Sequence, residues 1–558
     1  MARLTTPPLR FNMSPVWLSR RFLLIALAGV LSPAVAVHSE DSLRASIDRH
    51  ISTTWKSKQL TPAEQSADAE FLRRVYLDLV GTIPTYDAAV TFLDDNSPDK
   101  RERLIDRLLD DPGFARHQAE VWDQVLFGRN PPGHGTDKRQ GFQTWLREQF
   151  VANTPYDQWV KAILVAEGNT VENGAPMFFV QYRNQPEEAT EAVTQKFLGV
   201  QLQCARCHDH PFEPWTQLDF FGTAAFFARL KVVDAGKKDK LTMYVIGEKN
   251  TGDILFTGPV TEQEVGKKGQ PVIPKFLHGD VLVEPELPDD FKEDRNFPNG
   301  KMPPKPRFSR KDQLAEWITQ PDNPYFVRAV VNRVWAQFMG RGIVHPVDNM
   351  SEANAPSHPE LLNELSATMV DRKFDLKWYI RELVNSRTYQ LSGHGPVEEA
   401  MPFHFERART RPLTAEELLD TWNIATGYEA IQQTSGAKPS TDRYAPLGSG
   451  YLVRFFGTPS NGVGDFQGGL HEHLYLNNGG ISKLLSSAKG GLYDHLMNSE
   501  APWEERVDRL YVSMLTRRPT TEERKRFVAY FTAESNPRTR IGEAIWVLMT
   551  CSESRFNH

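Results

Sequence analysis

From Asp41 to about Leu230, apolar residues recur every three or four positions in one stretch after another. That spacing lays an apolar stripe along one side of an α-helix, and a chain that repeats it must bury the stripes against one another. Phe71, Val75, Leu77, Leu79 and Val80 form one such face, which stops at Gly81 and Pro84. Ser97-Pro98-Asp99 predicts the next start, with Ser97 as N-cap and Pro98 at the first helical position, before Leu104, Ile105, Leu108 and Leu109. Another helix is expected from Pro186, where Glu187 and Glu188 suit the positive end of the dipole, and its apolar positions run on into Cys204. Beyond Ser309 the pattern returns at roughly 311–319, 323–339, 358–371, 375–387, 414–426, 479–488 and 502–516. The expected fold class is mainly α.

Residues 231–307 read differently. They are rich in Gly, Pro, Lys and Asp and hold short β-type runs at Leu241–Ile246, Ile254–Phe256 and Val281–Val283. The expected organisation is therefore a helical domain over 41–230, a small β-containing insert over 231–307, and a second helical domain over 308–558. A polar, glycine-rich stretch from about Gln432 to Gly469 interrupts the last of these. One internal echo is present: Arg74, Tyr76, Pro84, Thr85 and Phe92 are matched at a constant offset by Arg509, Tyr511, Pro519, Thr520 and Phe527. It describes two similar helical hairpins; a shared capping habit, with Thr after Pro as N-cap, would produce the same pattern.

The first residues carry a different message. Arg3, Arg10, Arg20 and Arg21 precede an apolar run from Phe22 to Leu31, and Pro33 then leads into Ala34-Val35-Ala36. A positive flank, a short apolar core and a small-residue exit make a secretory signal over residues 1–36, and the run is short for a membrane span. An uncleaved anchor is the alternative. The expected location is outside the cytoplasm, in the periplasm or cell envelope, with no transmembrane segment beyond the signal. The net charge of −6 over 558 residues lacks the basic excess of nucleic-acid binders. Only three cysteines are present, Cys204, Cys207 and Cys551, too few for a disulfide-built secreted fold.

Two of them need their own explanation. The segment Cys204-Ala-Arg-Cys207-His208-Asp-His210-Pro211 contains CxxCH, the attachment pattern of haem c. Two thioethers hold the macrocycle and the adjacent histidine ligates iron, so Cys204, Cys207 and His208 are the candidate cofactor-binding residues. On a helical turn, positions three apart point the same way. Attachment outside the cytoplasm agrees with the signal. Met177, His117 and His210 are candidates for a sixth ligand. His210 is so near His208 that it is expected to stabilise the loop at Pro211, or to bind the metal in a zinc reading, before it reaches the opposite face of the same haem. Three rivals stand beside haem: a redox dithiol, a zinc site in which His208 and His210 join Cys204 and Cys207, and a plain disulfide. Trp215, Phe212, Phe220, Phe221, Phe226 and Phe227 read as core before they read as a haem wall.

Other polar clusters read mostly as structure. His471-Glu472-His473 is a candidate metal loop or an exposed turn. Ser357, Pro359 and Glu360 look like an N-cap and first turn near Asp348, Asn349 and His358. Asn332 and Arg333 sit between apolar neighbours and suggest a buried polar contact. No GxSxG, HExxH or phosphate-binding glycine loop marks a hydrolase, so catalytic residues are unassigned.

Phe71–Pro84 and Phe197–Phe212 resemble the bacterial family catalogued as domain of unknown function 1549. Asn323–Trp335, Pro356–Leu362 and Cys551–His558 resemble its partner, domain of unknown function 1553. The resemblance covers nearly the whole mature chain and implies an exported protein of the planctomycete type, often found with cytochrome-c-like domains. It supplies no established activity. The chain carries Glu472-His473-Leu474 where relatives have Gln-Ala-Leu, and shows no separate N-terminal cytochrome-like region. The expected function is haem c binding at CxxCH for electron transfer or a redox step in the envelope, with a redox protein as partner. The alternative is a metal- or disulfide-stapled scaffold that binds envelope polysaccharide or partner proteins.

Overall fold

Helix α1 (Leu43–Lys58) shows how the pattern becomes structure: Leu43, Ile47, Ile51 and Trp55 fall on one side, and all four are buried. The same logic produces α2 (Asp68–Val80), α3 (Tyr86–Asp94), α4 (Lys100–Leu109), α5 (Pro112–Phe127), α6 (Lys138–Val151) and α7 (Tyr156–Leu164). A short strand β1 (Gly168–Asn169) precedes α8 (Met177–Val180), α9 (Pro186–Val193) and α10 (Gln217–Ala224). The second helical run comprises α11 (Arg310–Ile318), α12 (Phe326–Met339), α13 (Pro359–Asp371) and α14 (Leu376–Asn385). Strand β6 (Arg411–Pro412) and α15 (Ala415–Thr426) follow the insert strands β2 to β5 in chain order. The chain closes with α16 (Leu492–Asn498), α17 (Trp503–Leu515), α18 (Thr521–Thr532), α19 (Arg538–Thr550), α20 (Ser552–Arg555) and β7 (Phe556–Asn557). This computed structural model describes residues 42–128, 138–238, 241–256, 258, 269–293, 304–395, 403–428, 474, 490–533 and 537–558. The fold is mainly α. Residues 1–36, His471-Glu472-His473 and the helix expected at 479–488 lie outside the described residues.

Side chains from both halves of the chain share one core. Ile47, Phe71, Leu108, Trp122, Tyr156 and Phe197 pack in the same buried cluster as Val331, Trp335, Leu362, Ile380 and Leu391. A smaller cluster joins Leu77 and Ile83 to Leu418, Trp422, Leu510, Met514 and Ile545. Helix α2 feeds both, so even its charged Arg73, Arg74 and Asp78 are buried. Residues Ser42–His558 form one compact unit. Among the described residues no helix is long and apolar enough to cross a membrane.

The insert is built from β2 (Leu230–Lys238) and β3 (Leu241–Glu248), paired antiparallel, with β1 on the far edge of β3. Two further strands, β4 (Leu255–Phe256) and β5 (Gln270–Pro271), pair with each other. Val281–Val283, expected as a strand, makes only an isolated bridge from Val281 to Lys275. Arg310 pins the insert to α11, reaching Glu284, Asp253 and the carbonyls of Ala225 and Gly252.

Two expected caps fall elsewhere. Helix α4 begins at Lys100 after Asp99, while the Ser97 hydroxyl turns back to Asp95 Oδ1. Helix α13 begins at Pro359 after His358, and Ser357 donates instead to the Ile343 carbonyl. In both cases a nearby acceptor outcompetes the helix N–H groups for the serine hydroxyl.

The hairpin echo is structural as well as sequential. Helix α2 ends at left-handed Gly81 (φ 73) and α17 at left-handed Thr516 (φ 62). Thr85 and Thr520 then cap α3 and α18 through their side chains. The two hairpins also touch: Arg509 lies 4.2 Å from the Tyr86 ring centre, and Arg518 pairs with Asp94 at 2.7 Å.

Candidate functional site

The approach to the cysteines is broken where a continuous helix was expected. Helix α9 stops at Val193, a π-turn covers Thr194–Leu198, and left-handed Gly199 ends it. A separate 3-10 turn, Gln203–Arg206, then carries Cys204, with Cys207 as its C-cap. The Cys207 N–H closes this turn on the Cys204 carbonyl at 3.2 Å, so the two cysteines stand one tight turn apart. Both are exposed and free.

The turn itself is firmly anchored. Leu202 and Ala205 are fully buried beneath it. Arg206 Nη1 bonds Glu188 at 2.9 Å and Glu191 at 3.3 Å, which ties the turn to α9. The Glu188 bond also holds the Arg206 guanidinium above its ordinary pKa. On the far side, Asp209 Oδ1 accepts from the Gln217 backbone N–H at 2.9 Å, and Thr216 and Asp219 form a capping box for α10. Trp215 is buried with its ring centre 4.3 Å from His278. Reactive side chains therefore project from a rigid base, as a binding constellation requires.

The two histidines have different roles. His208 Nδ1 lies 2.8 Å from the Asp209 carbonyl oxygen, an acceptor only, so Nδ1 carries the proton and Nε2 keeps its lone pair. A backbone carbonyl orienting the second nitrogen is the usual support of an iron- or zinc-ligating histidine. His210 Nδ1 instead accepts the backbone N–H groups of Phe212 at 3.3 Å and Glu213 at 3.0 Å. Its neutral ring then carries the proton on Nε2 and has no lone pair left for a metal. The residue shapes the His210–Glu213 bend. Among the described residues no three His, Cys, Asp or Glu side chains converge as a metal site. The donor set at this turn is two exposed thiols and one imidazole nitrogen. Two thiols and one imidazole are the donors that covalent haem c uses, and they are one short of the four that a structural zinc takes.

Nearby aromatic residues divide sharply. Phe220, Phe226 and Phe227 are core and Phe221 packs partly buried against them, whereas Phe212, expected as core, is 81% exposed. Of the sixth-ligand candidates, Met177 is buried in the main core, and His117 is buried 3.9 Å from Glu417. Asn332 makes the buried contact its neighbours suggested, donating to the Val344 and Val347 carbonyls and accepting from Val344 N–H.

A second polar cluster lies at the junction of α2, β6 and β7. Asp78 accepts from Arg411 at 2.9 Å, Asn557 at 2.8 Å and the Tyr389 hydroxyl at 2.8 Å. Arg411 also grips Glu417 through two 2.8 Å bonds. Burial alone would raise the Glu417 pKa, but Arg411 outweighs it and brings the carboxylate down to about 2. Arg73 donates to the carbonyls of Ser554 and Phe556. The adjoining cavity measures about 20 Å³, room for little more than a water, so the cluster reads as a fastening and not as a substrate site.

Fold and site together define a mainly α chain with a β-containing insert and an exposed dithiol–imidazole turn. Residues 46–232 match the family model PSCyt2, described as a protein of unknown function (DUF1549). Residues 310–454 match PSD1, described as a protein of unknown function (DUF1553), so the two regions stand in tandem. No curated protein and no solved structure matches the chain.

Proposed function

We propose that this chain is an exported carrier of covalent haem c, serving electron transfer or a redox step in the cell envelope of a planctomycete-type bacterium. Cys204 and Cys207 would hold the macrocycle through thioethers, and His208 Nε2 would ligate its iron. The observation that carries the reading is the shared turn: two exposed thiols three residues apart, with His208 already turned by the Asp209 carbonyl. When bound, haem supplies one-electron chemistry at iron. The chain's own part is to fix the turn through Leu202, Ala205 and Arg206 and to offer Phe212 as exposed apolar surface. An exposed attachment point also suits exchange of electrons with a protein partner.

The test is the intact mass of protein purified from a periplasmic host that attaches haem to a control cytochrome. We expect one haem of added mass that survives denaturation and disappears in Cys204→Ala/Cys207→Ala. The His208→Met variant should keep the added mass but shift the haem absorption bands. An unmodified mass in that host would sink the reading.

A further inference from the structure

Two buried cations behind the cysteine turn lack the counter-charge that the interior normally demands. Lys196, on the π-turn, makes one hydrogen bond, to the Val125 carbonyl at 2.7 Å near the end of α5. Arg333, on α12, is 8% exposed and also makes one, to the Lys196 carbonyl at 3.4 Å. Helix-end carbonyls explain those two bonds, and among the described residues the remaining N–H groups of both side chains have no partner. Among the described residues neither side chain meets a carboxylate at ion-pair distance. Asp348 acts on both from further off, and its carboxylate is held by Gln195 Nε2 at 2.8 Å.

A third polar group lies within electrostatic reach of Arg333. Tyr156, at the start of α7, is an electrostatic neighbour of Arg333 and only 1% exposed, yet its hydroxyl bonds to no described residue. Burial, reinforced by Arg333, pushes the Lys196 ammonium down to about 8. A buried charge is tolerated when something compensates it, and two like charges side by side raise that demand. A planar guanidinium beside a compact ammonium and a neutral O–H donor matches an oxyanion's several lone pairs. π-turns inside helices are also frequent at functional positions.

We propose that Lys196, Arg333 and the Tyr156 hydroxyl form a binding site for an oxyanion group, either a carboxylate or a phosphoryl group. Arg333 supplies the fork, Lys196 the point charge and Tyr156 the neutral donor. The site is separate from the cysteine turn and stands whether or not haem is attached there.

The experiment is calorimetric titration of the full chain with inorganic phosphate and, separately, acetate, at pH 7 and matched ionic strength. We expect one of them to bind in 1:1 ratio. That binding should weaken at least about ten-fold in Lys196→Gln and about three-fold in Tyr156→Phe, with unchanged circular dichroism. Phosphate as the tighter ligand assigns a phosphoryl group; acetate assigns a carboxylate. If neither anion gives a saturable heat, or if both variants bind as the parent does, the proposal is overturned. Should Lys196→Gln not fold, Tyr156→Phe decides alone, because it removes one oxygen from an otherwise unchanged ring.

Discussion

His117 is buried on α5, 3.9 Å from Glu417 and against the backbone of Gly81. Burial outweighs the attraction of Glu417 and brings its pKa down to about 4. His358 is shifted the same way, also to about 4, by burial and then by His404. In the unfolded chain both rings take up a proton near pH 6.5, whereas in the folded chain they resist until about 4. Stability is therefore complete above pH 6.5 and is lost as pH falls through that window. Urea unfolding at pH 7, 6, 5 and 4 should show the decline, and His117→Gln should make it shallower. An identical decline in the variant would remove His117 as a cause. At this scale the sequence said little, since nothing in Arg116-His117-Gln118 separates a ligand from a core histidine. His210 was more legible: its closeness to His208 favoured a role in the loop at Pro211, and its Nδ1 does accept from the Phe212 and Glu213 N–H groups.

The paired hairpins give a sharper contrast, because one structural position is filled by different residues. Gly81 is left-handed, and a Cβ there would lie 2.5 Å from His117 Nδ1. Gly81→Ala should cost at least about 2 kcal/mol, combining left-handed strain with that clash. Its counterpart Thr516 is left-handed, fully buried and β-branched, and its buried hydroxyl has no partner among the described residues. Thr516→Gly should relieve about 1–2 kcal/mol of strain and return about 0.5–1 through chain entropy, a net gain of about 0.5 kcal/mol. Denaturant midpoints of the two variants should move in opposite directions; movement in the same direction would break the structural equivalence. Helices with strong apolar periodicity were legible, as in α1, where Leu43, Ile47, Ile51 and Trp55 mark the buried side. The π-turn was not, because Thr194-Gln-Lys-Phe-Leu198 continues the helical pattern and only the packing around Gly199 and Met350 shows the break. Nor was Val281–Val283, whose valines suit a strand but whose pairing stops at the single bridge to Lys275.

For the whole molecule, the shared core sets what can fold alone. Tyr156 stacks on Phe326 at 5.0 Å, α1 is bonded to α14 through Arg44 and Glu382, and Lys377 reaches Asp110. A fragment of residues 42–293 should therefore fail to give a cooperative unfolding transition by itself. Co-expressed with residues 304–558 it should be recovered as a soluble, co-purifying pair. A fragment that melts cooperatively on its own would show that its core is self-sufficient. The fastening of Arg73 and Asp78 carries a further consequence, for timing. Their partners Ser554, Phe556 and Asn557 lie 481, 483 and 479 residues further along the chain. While the polypeptide is being made, Asp78 waits 311 and 333 residues for Tyr389 and Arg411, and Arg73 waits 481 and 483 for the carbonyls it bonds. The early helices must wait as a loose, adhesive intermediate, so holding chaperones, more than the speed of any one helix, would govern how much of the chain reaches its finished form.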